Sequence, residues 1–125
     1  MTILRITGFD HVVLRCADVE ATLAWYHDLL GLELVRVEEW RAGQVPFPSV
    51  RVSDDTIIDL VPGPIDDGRL DHLCLVVEPV DLSALAASGD LDVVEGPVRR
   101  FGARGDGTSL YVRDPDGLVV ELRHY

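Results

Sequence analysis

The sequence predicts an α+β fold built as two tandem βαβββ modules, and three observations carry that expectation. An Asp-His pair opens an apolar run twice, in "DHVVLRCADVEATL" from Asp10 and in "DHLCLVVEPVDLSAL" from Asp71, an offset of 61. A strand, an Asp-containing turn and a second strand also recur, in "SVRVSDDTIIDLVP" from Ser49 and "SLYVRDPDGLVVELRH" from Ser109, an offset of 60. Between the members of each pair lies a helical period. A repeat of about sixty residues is longer than the common solenoid periods, so it reads as a duplicated module.

Module one spans residues 7–61 and opens with a strand over 9–16. Asp18 is the expected N-cap of a helix over 19–30, and Gly31 its C′ residue. Val19, Leu23, Tyr26 and Leu30 step by four, three and four, which makes one buried stripe. Strands follow over 33–40, 49–53 and 56–61. Residues 62–69, "PGPIDDGR", carry Pro and Gly punctuation and form the linker. Module two spans residues 70–125. It repeats the plan with the "DHLCLVV" strand, a shorter helix over 82–88, and strands over 91–95, 109–113 and 118–123. The Gly- and Arg-rich segment 96–108, "GPVRRFGARGDGT", reads as a mobile loop.

Length and composition bound the possibilities. A chain of 125 residues that is 47% hydrophobic can bury a core and should fold as one domain. No apolar run reaches membrane-spanning length, and "MTILRITGFD" lacks the features of a secretion signal. The expectation is a cytoplasmic protein that binds no membrane. Cys16 and Cys74 resemble neither a disulfide framework nor a CxxC zinc site. A net charge of −11 opposes binding to phosphate backbones, so nucleic acid is not an expected partner.

Alternation fixes which side chains share a strand face. His11 lies with Val13 and Arg15, and His72 with Cys74 and Val76. Asp59 lies with Ile57 and Val61, and Glu121 with Val119 and Arg123. Each polar residue stands among apolar neighbours, which is costly for a carboxylate unless it is paired or binds a metal. If an approximate two-fold axis relates the modules, His11 matches His72 and Asp59 matches Glu121. All four can then meet at one point. Two imidazoles with one or two carboxylates suit a divalent ion such as Zn, Fe, Mn, Ni or Co. Asp59, with its shorter reach, remains open as a fourth ligand, an orienting group or a catalytic base. Cys74 lines the same face and reads as a small apolar filler. His27 and His124 have no partner copy and read as surface residues.

At this point the chain resembles a known group. The paired modules, and above all "WYHDLLGLEL" and "RDPDGLVVEL", are similar to the vicinal oxygen chelate superfamily of glyoxalases, bleomycin resistance proteins and dioxygenases. The resemblance covers nearly the whole chain. It implies a curved, partly closed mixed sheet around a central cavity, with metal ligands on the first and fourth strands of each module. Those positions are His11, Asp59, His72 and Glu121. Glyoxalase I and methylmalonyl-CoA epimerase carry Glu or Gln where this chain has Asp59. Val13 stands where fosfomycin enzymes carry a Thr, which counts against phosphonate chemistry. Arg99, Arg100 and Arg104 are available to meet the carboxylates of a glutathione-like ligand.

The expected function is that of a metal-dependent enzyme. A small molecule with adjacent oxygens would chelate the metal, whose Lewis acidity would support lyase, isomerase or dioxygenase chemistry. Asp59 or Glu121 is the candidate base. Tyr111 is a candidate acid or hydrogen-bond donor, with cross-strand packing as its alternative role. The alternative function is metal-free sequestration of a drug or metabolite, in the manner of the bleomycin resistance proteins. A homodimer is expected, with a site whose ligands come from one chain or from two. The prolines of the linker argue against a tight fold-back.

Overall fold

A computed structural model describes residues 2–125. The chain divides into two units, His11–Asp71 and the chain up to Asp10 together with His72–Tyr125.

The first unit takes most of β1 (Ile6–Cys16), then α1 (Val19–Ala24), a π-helical turn (Trp25–Leu29), β2 (Glu33–Val35), α2 (Val37–Arg41), β3 (Ser49–Ser53) and β4 (Thr56–Pro62). Its strands lie in the order β2-β3-β4-β1. β1 runs parallel to β4, and the other two pairings are antiparallel. Asp18 caps α1 by accepting the Ala21 N–H at 3.0 Å, and Gly31 takes the left-handed conformation at φ 75°. Leu14 and Cys16, on the face of β1 opposite His11, pack with Val19, Leu23, Val37, Val50 and Leu60. The strand alternation and the first turns of the helical stripe therefore hold.

Two expectations for this unit do not. The helix widens into a π turn from Trp25, which rotates the stripe and leaves Leu30 exposed instead of buried. The expected strand over 33–40 stops at Val35. Arg36 turns left-handed at φ 58°, and Val37–Arg41 is helical. Tertiary packing overrides the local alternation here: Val37 is buried and Trp40 packs on the same core. Arg41 also reaches back to Glu20 of α1 at 3.0 Å.

The linker returns along β1 despite Pro62 and Pro64. The Arg15 N–H donates to the Arg69 carbonyl at 2.6 Å, and the Arg15 guanidinium donates to Asp71 Oδ1 and to the Gly68 carbonyl, both at 2.9 Å.

The second unit contains β5 (Leu70–Val77) from His72 onward, α3 (Leu82–Ala87), β6 (Asp92–Gly102), β7 (Gly105–Arg113) and β8 (Val119–His124). Its strand order is β5-β8-β7-β6, with β5 parallel to β8 and the other pairs antiparallel. Taken from the first strand of each unit, the order is the same in both, which is the α+β plan expected from the repeat. Asp81 caps α3 through the Ala84 N–H at 3.0 Å. Leu82 and Leu85 of that helix bury against Val77, Leu110, Val112 and Leu122.

Segment 96–108 is not a loop. It forms the end of a long β6–β7 hairpin, paired from Val98 with Ser109 to Gly102 with Gly105. Cross-strand chemistry that composition hides holds it together, including Arg99 donating to Asp106 Oδ2 at 2.7 Å. Among the described residues no helix is long and apolar enough to cross a membrane.

Candidate functional site

Each unit builds the same small constellation from the same strand geometry. In the first, His11 on β1 stands opposite Ile57 on the parallel strand β4. Asp59 lies two residues further on, so it shares the face of His11. His11 Nε2 is 3.6 Å from Asp59 Oδ2, with both side chains almost wholly buried. Ser49 on β3 stands opposite Asp59, and its hydroxyl donates to Asp59 Oδ1 at 2.5 Å.

In the second unit His72 on β5 stands opposite Val119 on β8, and Glu121 lies two residues beyond. His72 Nε2 is 3.1 Å from Glu121 Oε1. Ser109 donates its hydroxyl to Glu121 Oε2 at 2.7 Å. Arg123 Nη1 donates to the same oxygen at 3.0 Å. Glu121 is thus anchored through Oε2 and turns Oε1 to the histidine.

The structure therefore brings His11 to Asp59 and His72 to Glu121. Tyr111 joins the second pair: it stands opposite Glu121 on β7, and its ring meets the His72 ring edge-on at 5.5 Å. Burial, then the Glu121 charge, pushes the Tyr111 hydroxyl well above the usual phenol range, so it stays protonated at neutral pH. Cys74 is wholly buried beside Glu121. His27 is exposed, with Nδ1 2.7 Å from the Leu32 carbonyl. Arg99 and Arg100 pair with Asp106 and Glu95, and Arg104 lies over the Tyr125 ring.

The His72–Glu121 donor pair fits a divalent metal. Nitrogen and oxygen ligands bonded at about 2.1 Å to one ion lie roughly 3.0–3.4 Å apart at angles of roughly 90–110°. The His72–Glu121 separation falls in that range and the His11–Asp59 separation lies just beyond it. Both histidines present Nε2, and the serines hold the far carboxylate oxygens, as groups that orient ligands do.

Sequence reasoning had not assigned roles to the two serines, to Arg123 or to Asp10. The signal for the serines was present, because each stands at the head of a repeated segment. Asp10 gave a weaker one. It is buried, accepts the Ala103 N–H at 2.8 Å and the Tyr125 hydroxyl, and lies 3.8 Å from Arg123 Nε. Both partner segments are about a hundred residues away in the chain.

A sequence model of the Glyoxalase/Bleomycin resistance protein/Dioxygenase superfamily matches residues 8–122. The chain is 34% identical over 130 residues to glyoxalase domain-containing protein RDO1 of Mycosarcoma maydis, covering 98% of this chain and 70% of that protein. Among solved structures it shares the fold of the Mn(II)-bound glyoxalase from Novosphingobium aromaticivorans, with TM-score 0.68 and 22% identity over 98% of this chain and 40% of the other. Methylmalonyl-CoA epimerase from Mycobacterium tuberculosis is similar too, with TM-score 0.64 and 21% identity over 99% and 91% of the two chains. With nearly its whole length matched, this chain belongs to the Glyoxalase/Bleomycin resistance protein/Dioxygenase superfamily.

Proposed function

We propose that the protein is a metal-dependent enzyme acting on a small molecule that binds the metal through adjacent oxygens. The observation that carries this reading is the duplicated His–carboxylate–Ser arrangement, with His72 Nε2 and Glu121 Oε1 spaced as two ligands of one ion would be. Relatives of the same fold described as an Mn(II)-bound glyoxalase and as an epimerase support it. His11, His72 and Glu121 are the proposed ligands, with Asp59 as fourth ligand, orienting group or base. The metal is Zn, Fe, Mn, Ni or Co. When bound, it supplies Lewis acidity toward the substrate oxygens.

The chain's own groups do the rest. As a base, Asp59 would take a proton beside a carbonyl through Oδ2 while Ser49 holds Oδ1. Tyr111, kept neutral, donates a hydrogen bond or proton and does not act as a base. Lyase, isomerase and dioxygenase chemistry all fit this division of labour. We place the protein in the cytoplasm, where thiols such as those of the two buried cysteines stay reduced, and propose that it works as a homodimer.

The test is metal analysis of protein purified without chelators. About one divalent ion per chain is expected, with a sharp loss in His72→Ala. Protein that takes up no divalent ion at micromolar supplement would overturn the enzyme reading in favour of sequestration. Asp59→Asn then separates its roles. A base variant keeps metal and loses turnover, a ligand variant binds metal weakly, and full metal with full turnover excludes both.

A further inference from the structure

We propose that Arg123 is a positioning residue for Glu121, and that the tip of the β6–β7 hairpin holds Arg123 in place. This rests on the metal reading of His72 and Glu121. The guanidinium is completely buried. Besides the bond to Glu121 Oε2, Nη1 donates to the Phe101 carbonyl at 3.2 Å. Nη2 donates to the carbonyls of Arg100 at 2.8 Å and Gly105 at 3.2 Å. Nε makes no hydrogen bond and has Asp10 Oδ2 at 3.8 Å. A planar fork bonded in this way to three backbone carbonyls and one carboxylate oxygen has one orientation.

The hairpin closes on that fork without slack. A Cβ at Gly102 would lie 2.5 Å from Arg123 Cζ, and one at Gly107 would lie 2.7 Å from Nη2. At Gly107 a Cβ would also lie 2.8 Å from the His124 carbonyl oxygen, so glycine is required there, and at Gly102 a Cβ would have to displace the guanidinium itself. The chain of contact runs from hairpin carbonyls to guanidinium to Glu121 Oε2, which leaves Oε1 toward His72. The matching sequence position in the other unit differs. The position two residues after Asp59 is Val61, which brings no charge, so the two carboxylates are held differently. Glu121 is presented through one oxygen by Ser109 and Arg123 together, and Asp59 is held at Oδ1 by Ser49.

The experiment is titration of the metal-free protein with Co²⁺, reading both affinity and the visible absorption spectrum at saturation. Circular dichroism checks the fold of each variant. Arg123→Met should lower Co²⁺ affinity by roughly 10- to 100-fold, the usual effect of removing a group that orients a ligand. It should also alter the saturated spectrum, which a purely structural role would leave unchanged. Arg123→Lys, which can still donate to Oε2, should recover part of the affinity. Ser109→Ala removes the other donor to that oxygen with the hairpin intact and should shift affinity in the same direction. Folded Arg123→Met with wild-type affinity and spectrum would overturn the proposal. If that variant does not fold, wild-type behaviour in both Arg123→Lys and Ser109→Ala overturns it. Wild-type protein that binds no Co²⁺ overturns the metal reading itself, an outcome distinct from wild-type binding with unaffected variants.

Discussion

Ser49 and Ser109 each satisfy one oxygen of a carboxylate that is out of reach of bulk water. Removing such a donor strands part of the desolvation cost of the carboxylate. Ser49→Ala is therefore expected to destabilise the fold by about 1–3 kcal/mol in urea denaturation. Tyr125 offers a test with a pH signature. Burial, then the hydrogen bond to Asp10, pushes its hydroxyl up to about 12, against about 10 in the unfolded chain. The folded state thus holds this proton more tightly. The stability it contributes is fully present below about pH 10 and is lost as pH rises through the folded value. Tyr125→Phe should be less stable than wild type at pH 8, and the gap should close between pH 10 and 12. A gap independent of pH would mean that the hydroxyl adds nothing through its proton.

At the scale of elements, the hairpin and the broken strand show where local reading stops. Residues 96–108 are rich in Gly and Arg, which in isolation describes a loop. Gly102 and Gly107 lie against the Arg123 guanidinium, where a Cβ would intrude, and Arg99 is matched by Asp106 across the hairpin. Gly102→Ala should force the hairpin off the guanidinium, at a cost of about 1–3 kcal/mol of stability as for other overpacked sites, again read in urea. The segment after Val35 fails for a different reason. Its alternation suits a strand, but Val37 and Trp40 gain more by packing as a helix on the core beneath α1. Neither outcome could be read from a window of ten residues, because the deciding partner lies elsewhere in the chain. Where the partner is local, as in the Asp18 cap and the Gly31 stop, expectation and structure agree.

For the whole molecule the prediction is a homodimer, checked by light scattering at micromolar concentration. Trp25, Leu29 and Leu30 are exposed apolar side chains around the π turn, and Ile65 joins Trp25 and Tyr26 in a hollow of about 480 Å³. Apolar surface of this kind marks interaction sites. Which chain supplies the proposed metal ligands is a separate question, and mixing His11→Ala with Glu121→Ala protein under subunit exchange answers it. Metal binding returns if the ligands are shared between chains, because one site of the mixed dimer then carries both lesions and the other none. No recovery despite proven exchange assigns every ligand to one chain, and a monomer excludes the dimer itself.

The sequence by itself determined the duplication, the βαβββ plan and the face on which each histidine and carboxylate stands. A repeat offset and a two-residue strand period are one-dimensional facts, and they carry directly into register: His11 opposite Ile57, His72 opposite Val119, and the carboxylate two residues beyond in each. Only the tertiary structure decided how those carboxylates are held. Ser109, Arg123 and the carbonyls of the hairpin tip come from three strands, and their meeting depends on antiparallel pairing and on the absence of a Cβ at Gly102 and Gly107. Hydrogen-bond partners are chosen by distance in space, and distance along the chain carries no information about them once strands pair.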